Sequence, residues 1–110
     1  MLASEERQLT KVFPKQTRTV NGISVVPRLR AWKQPELKLH NIPKKLSREL
    51  ETYLSRELPK LSSHPLKFRF DTGDWYFYIH IDGKIRNKKK FVLLCRDFIY
   101  DWLSKHGTTA

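Results

Sequence analysis

Cysteine, glycine, acidic residues and long apolar runs are all scarce in this chain, and each scarcity excludes something. Cys95 is the only cysteine, which rules out an internal disulfide and a thiolate metal cluster within one chain. Its neighbours Leu94 and Phe98 mark it as a buried, inert thiol. No apolar run approaches the roughly 18 residues needed to span a bilayer. The opening MLASEERQLT lacks the charged-then-apolar layout of a secretory signal, so a soluble, cytoplasmic or nucleoid-associated protein is expected, with no membrane partner. With only four glycines there is no glycine-rich phosphate loop and no G-x-S-x-G nucleophile motif. His40, His64, His80 and His106 are far apart, with no i, i+4 ligand pair, so neither a metal site nor a cofactor is expected.

What the chain has in excess is positive charge. Its 110 residues carry 22 Lys plus Arg against 11 Asp plus Glu, a formal net charge of +11. A surplus of that size repels itself unless a polyanion relieves it, and nucleic acid is the leading candidate. No acid occurs from Arg7 to Pro35, although Arg18, Arg28, Arg30 and Lys33 are all basic there, and Pro14, Pro27 and Pro35 block long helices. Residues 1–40 therefore read as an extended basic arm. Within it, Thr19-Val20 and Ile23-Ser24-Val25-Val26 flank Asn21-Gly22, a pair suited to a tight hairpin turn.

Residues 41–107 carry the clearer periodicity and read as one compact domain. Leu46, Leu50, Tyr53, Leu54 and Leu58 recur three or four apart, predicting a helix from Pro43 to Leu58 capped by Asn41. Leu66–Asp71 and Asp74–Ile81 alternate, and a two-residue loop at Thr72-Gly73 would pair Phe70 with Trp75, Phe68 with Phe77 and Leu66 with Ile79. A bulged turn at Asp82-Gly83-Lys84 would bring Ile85 opposite Ile81 as a third strand. Val92, Cys95, Ile99 and Trp102, with Phe91, Leu94, Phe98 and Leu103, predict a last helix whose apolar stripe is wider than one face needs. That stripe would be sandwiched between sheet and arm, or form a homodimer contact. Lys105 and His106 suit its end, closed by Gly107. The expected fold is α+β: helix, three-stranded antiparallel sheet, helix, preceded by the arm with its hairpin.

The densest charge is Lys84, Arg86, Lys88, Lys89 and Lys90, running into the last helix. If Asn87 caps that helix, three lysines occupy its first turn, where the helix dipole disfavours cations by a few tenths of a kcal/mol each. A phosphate bound there would explain the lysines, because helix N–H groups and ammoniums can contact it together. On the opposite face of the expected hairpin, Lys67 and Arg69 flank Tyr76 and Tyr78, a basic and aromatic surface suited to stacking bases. The arm adds Arg18, Arg28, Arg30 and Lys33.

The expected helix, three strands and helix, with lysines opening the last helix, resembles double-stranded RNA-binding domains, in which such lysines reach phosphates. The Thr72-Gly73 turn is shorter than that family's second contact loop, and the last helix is aromatic where the family's is alanine-rich. Gly73 through Phe91 resembles the three-stranded arm-site DNA-binding module of phage-type integrases, which would imply a sheet laid in the major groove. Asp71 or Asp74 followed by Asp82-Gly83-Lys84 resembles the paired acids and lysine of one metal-dependent nuclease superfamily. Turn chemistry explains the same acids. The expectation is a non-enzymatic nucleic-acid-binding protein. Its rivals are a protein-interaction subunit, an assembly factor or inhibitor docking on an acidic partner through the last helix, and a small metal nuclease.

Overall fold

The structure, a computed structural model, describes residues 11–12, 16–30 and 34–106. In chain order the elements are β1 (Lys11–Val12), β2 (Arg18–Val20), β3 (Ile23–Arg30), β4 (Gln34–His40), α1 (Lys44–Glu57) with a 3₁₀ turn at Leu58–Leu61, β5 (Leu66–Thr72), β6 (Tyr76–Gly83) and α2 (Lys88–His106).

The strand segments form one antiparallel sheet, five strands wide, in which β1 and β2 share one edge of β3 and the order continues β4, β6, β5. This corrects the expected three-stranded sheet behind an extended arm. Residues read as arm supply β1, β2, β3 and β4, and β4 lies at the centre of the sheet between β3 and β6. The reason is visible in Pro35, Leu37 and Leu39, which alternate with Glu36, Lys38 and His40 as a half-buried strand does. Leu37 and Leu39 are fully buried, opposite Ile79 and Phe77 on one side and Pro27 and Val25 on the other. The Asn21-Gly22 hairpin is present: both residues have positive φ, 51° and 78°, and Val20 pairs with Ile23.

The third expected strand does not form. Residues 84–87 are a loop, and β6 takes β4 rather than Ile85 and Arg86 as its second neighbour. The β5–β6 turn lies two residues further along than expected. Gly73 N–H donates to Tyr76 O at 2.9 Å, leaving Asp74-Trp75 at the tip. Phe70 therefore faces Ile79, and Phe68 faces Ile81. This register buries Ile81 and lets Leu66 approach Gly83 closely, where an added Cβ would lie 2.6 Å from Leu66 Cδ2. The slip is even, so the faces are as expected, but Trp75 leaves the core and is 64% exposed.

Both helices cover the apolar face, α1 over β5 and β6, α2 over β2, β3 and β4. Leu50 and Leu54 of the first helix and Leu58 of the 3₁₀ turn join Val92, Cys95, Ile99 and Leu103 of the second helix in one core with Ile23, Val25, Phe77 and Ile79. Tyr53 ties the helices together, its ring 5.6 Å from Phe98 and 5.8 Å from Trp102. The wide stripe of α2 is thus used by sheet and α1 together, and Leu94 is the large apolar side chain of that helix left exposed. Asn41 does not cap α1. It takes φ 62° in the bend out of β4, and the helix starts after Pro43 with no side-chain cap. With no third strand, the basis for likening the chain to double-stranded RNA-binding domains or to the integrase module falls away. No helix among the described residues is long and apolar enough to cross a membrane.

Candidate functional site

Two surfaces carry the predicted site residues. The first is the junction of β6 and α2. Asn87 caps the helix as expected, its Oδ1 accepting from Lys90 N–H at 3.1 Å and its carbonyl from Phe91 N–H at 2.9 Å. Lys88, Lys89 and Lys90 consequently form the first turn, which contains no acid. Beside it lies an open groove of about 890 Å³ between residues 61–64, the 84–87 loop and the start of α2. Lys84, Arg86, Lys90 and Arg96 line it together with apolar Leu61, Ile85 and Leu94.

Asp97 is the one acid lining this groove, and it is already neutralised. Arg18 Nη1 and Arg96 Nε each donate to its Oδ1 at 2.9 Å. Burial pushes the Asp97 carboxyl up, but these hydrogen bonds and charges outweigh it and hold its pKa below the ordinary 3.8. Arg96 also donates to Gln16 O at 2.8 Å. Among the described residues, no carboxylate pairs with Lys84, Arg86, Lys88 or Lys90.

The second surface is the helix-free face of the sheet. Side-chain alternation places Lys67, Arg69 and Asp71 of β5, Tyr76, Tyr78, His80 and Asp82 of β6, Glu36, Lys38 and His40 of β4, and Arg28 of β3 on it. Lys67, Arg69, Tyr76 and Tyr78 share this face as predicted. Lys67 and Arg69 are exposed on the edge strand, and Lys38 Nζ sits 5.1 Å from the Tyr78 ring centroid. The face also holds a polar row missed in the sequence. Glu36, 2% exposed, has His80 Nδ1 at 2.9 Å from its Oε1 and is ion-paired with Arg28 Nε at 3.1 Å, while His80 Nε2 lies 3.0 Å from Asp71 Oδ2. The alternation within Gln34–His40 was the signal that could have revealed it.

Of the predicted site residues from the former arm, Arg18 and Arg28 are each tied to a carboxylate, and Arg28 shares the helix-free face with the second surface. Arg18 lies on the helix-covered face, bonded to Asp97 with its guanidinium carbon 3.6 Å from the Tyr100 ring centroid. Arg28 is held by Glu36. Arg30 ends β3, and its side chain, like Lys33 and Gly107, lies outside the described residues.

The acids of the nuclease resemblance do not converge. Asp71 is engaged by His80, and Asp82 pairs across the sheet with Lys67, four residues away from Asp71 on β5, or about 13 Å. No cluster of three or more His, Cys, Asp or Glu suited to a metal ion occurs among the described residues. A scan against protein-family models and searches of curated proteins and solved structures find no match to this chain.

Proposed function

We propose that the protein is a non-enzymatic nucleic-acid-binding protein that holds the phosphate backbone at the β6–α2 junction, with Lys67, Arg69, Tyr76 and Tyr78 on the sheet as a second contact surface. The observation that carries this reading is the set of cations at the start of α2. Lys84, Arg86, Lys88 and Lys90 have no carboxylate partner among the described residues, and three lysines occupy a first helical turn free of acids. Both the helix dipole and mutual repulsion oppose that placement. A bound phosphate would be attracted both by the helix N-terminus and by the lysines, and so would offset these costs. The net charge of +11 extends the same preference over the whole molecule.

The rival reading docks a basic surface on an acidic protein with the apolar face of the last helix as contact, and Leu94 is the one large apolar side chain of that helix that is exposed. Replacing Lys88, Lys89 and Lys90 together by Glu tests the proposal. Affinity for labelled nucleic acid should fall by at least about ten-fold at moderate salt, since the exchange removes three favourable charges and adds three repulsive ones. Unchanged affinity in the folded variant would remove the junction from the interface.

A further inference from the structure

We infer that Trp75, Tyr76 and Tyr78 form a base-stacking site for single-stranded nucleic acid at the β5–β6 end of the sheet. The inference deepens the nucleic-acid reading above and rests on it.

The starting point is an expense the fold does not recover. Trp75 is 64% and Tyr76 45% exposed, the two largest exposed apolar side chains among the described residues. Neither position is forced on the chain by core packing, because the register that places Trp75 at the tip is complete from Leu66 to Phe77 without it. The two tyrosine rings are nevertheless held in place. Tyr76 packs over Gly73, where any Cβ would collide with the ring. Its edge meets Tyr78 at 5.3 Å, and Tyr78 in turn stacks on His80 at 6.0 Å. Rigid rings on a sheet lose little freedom when a base settles on them.

Charge complementarity selects the occupant. Lys38 lies over Tyr78, and Arg69 is exposed on the neighbouring edge strand. Ile42 N–H donates to Trp75 O at 3.3 Å, which brings exposed Lys44 and Lys45 to the tip. Asp71 and Glu36 on this face are both engaged by His80. Aromatic faces flanked by cations suit a polyanion with accessible bases. Duplex bases are stacked on one another and hide their faces, whereas single-stranded bases offer them. The row also lies about 20 Å along β6 from the 84–90 junction, far enough to be a distinct contact.

The test is fluorescence anisotropy with labelled oligothymidylate and oligouridylate of roughly twelve nucleotides, a length within the span of single-strand sites, and a duplex of equal length. Trp75→Ala should weaken single-strand binding about ten-fold while leaving duplex binding within about two-fold, Tyr76→Ala should weaken single-strand binding by a similar factor, and Trp75→Phe should retain most of the affinity. Thermal melting confirms that each variant is folded. If both alanine variants bind single strands as the parent does, or if Trp75→Ala loses duplex and single-strand binding equally, the stacking site is overturned while binding at the lysine junction stands. If the parent protein binds none of the three probes, the nucleic-acid reading itself fails and takes this inference with it.

Discussion

Replacing Glu36 by Ala should be among the most damaging single changes on the helix-free face. The Glu36 side chain is 3% exposed, with its two oxygens facing His80 Nδ1 at 2.9 Å and Arg28 Nε at 3.1 Å. Removing the carboxylate leaves a guanidinium and a ring N–H in a nearly dry place. Breaking a buried pair in this way costs about 3–5 kcal/mol. Arg28 and His80 retain 22% and 12% exposure, so water can rehydrate part of both, and a cost below that range, about 2–3 kcal/mol, is expected. At roughly 4–8 °C per kcal/mol for a domain near this size, the melting temperature should drop by about 10–20 °C. Urea unfolding gives the free energy directly, with an unchanged slope showing that the unfolded state is the same. Asp101→Ala is the control. It breaks an exposed i, i+4 pair with Lys105 at 3.1 Å and should cost no more than about 0.5 kcal/mol. A Glu36→Ala variant within about 0.5 kcal/mol of the parent would refute the argument, because the row would then be hydrated and contribute nothing.

Three further outcomes follow from the same structure. Burial, then Lys38 and Arg28, lower the pKa of His40 below 6.5, so the unfolded chain takes up this proton more readily than the folded one. The His40 contribution to stability is complete above pH 6.5 and is lost as pH falls through the depressed folded value; an NMR titration midpoint at or above 6.5 would contradict it. Ser47 is fully buried with no partner for its Oγ among the described residues, so Ser47→Ala should be neutral or stabilising by about 1 kcal/mol in urea unfolding, and a marked loss would show that the hydroxyl is bonded. Burial pushes the Cys95 thiol up to about 12, so alkylation at neutral pH should be far slower in buffer than in urea; equal rates would show an open core.

The two helices were legible in the sequence because their apolar spacing is local. Leu50, Leu54 and Leu58, and Val92, Cys95 and Ile99, mark the same faces in the chain as in the fold. The Asn21-Gly22 turn was legible for the same reason. The sheet was not, because which strands become neighbours is a non-local outcome. β4 pairs with β6 across α1 and β5, and in sequence Pro27 and Pro35 on either side of a basic stretch looked like an arm. Both prolines in fact sit within the β3–β4 pairing, Pro27 opposite Leu37 and Pro35 opposite Leu29. Alternation in Gln34–His40 and the polar ladder it carries were legible in principle but were outweighed by the charge pattern. Of the site, the parity of Lys67, Arg69, Tyr76 and Tyr78 and the Asn87 cap were legible, since both depend on near neighbours. The exposure of Trp75 depended on a two-residue displacement of a turn that local preferences left open, and the diversion of Arg18 into a structural bond needed α2 beside it.

The most direct measurement is the salt dependence of binding to a labelled duplex, for the parent protein and for the variant with Glu at 88, 89 and 90. Each neutralised duplex phosphate contributes about −0.9 to the log–log slope, so engagement of the five cations from Lys84 to Lys90 gives the parent a slope of about −4 to −5. In the variant that slope should flatten by about 2.7 or more. A parent affinity that does not change with salt, or the same slope in both proteins, would contradict the assignment of the β6–α2 junction to phosphate binding.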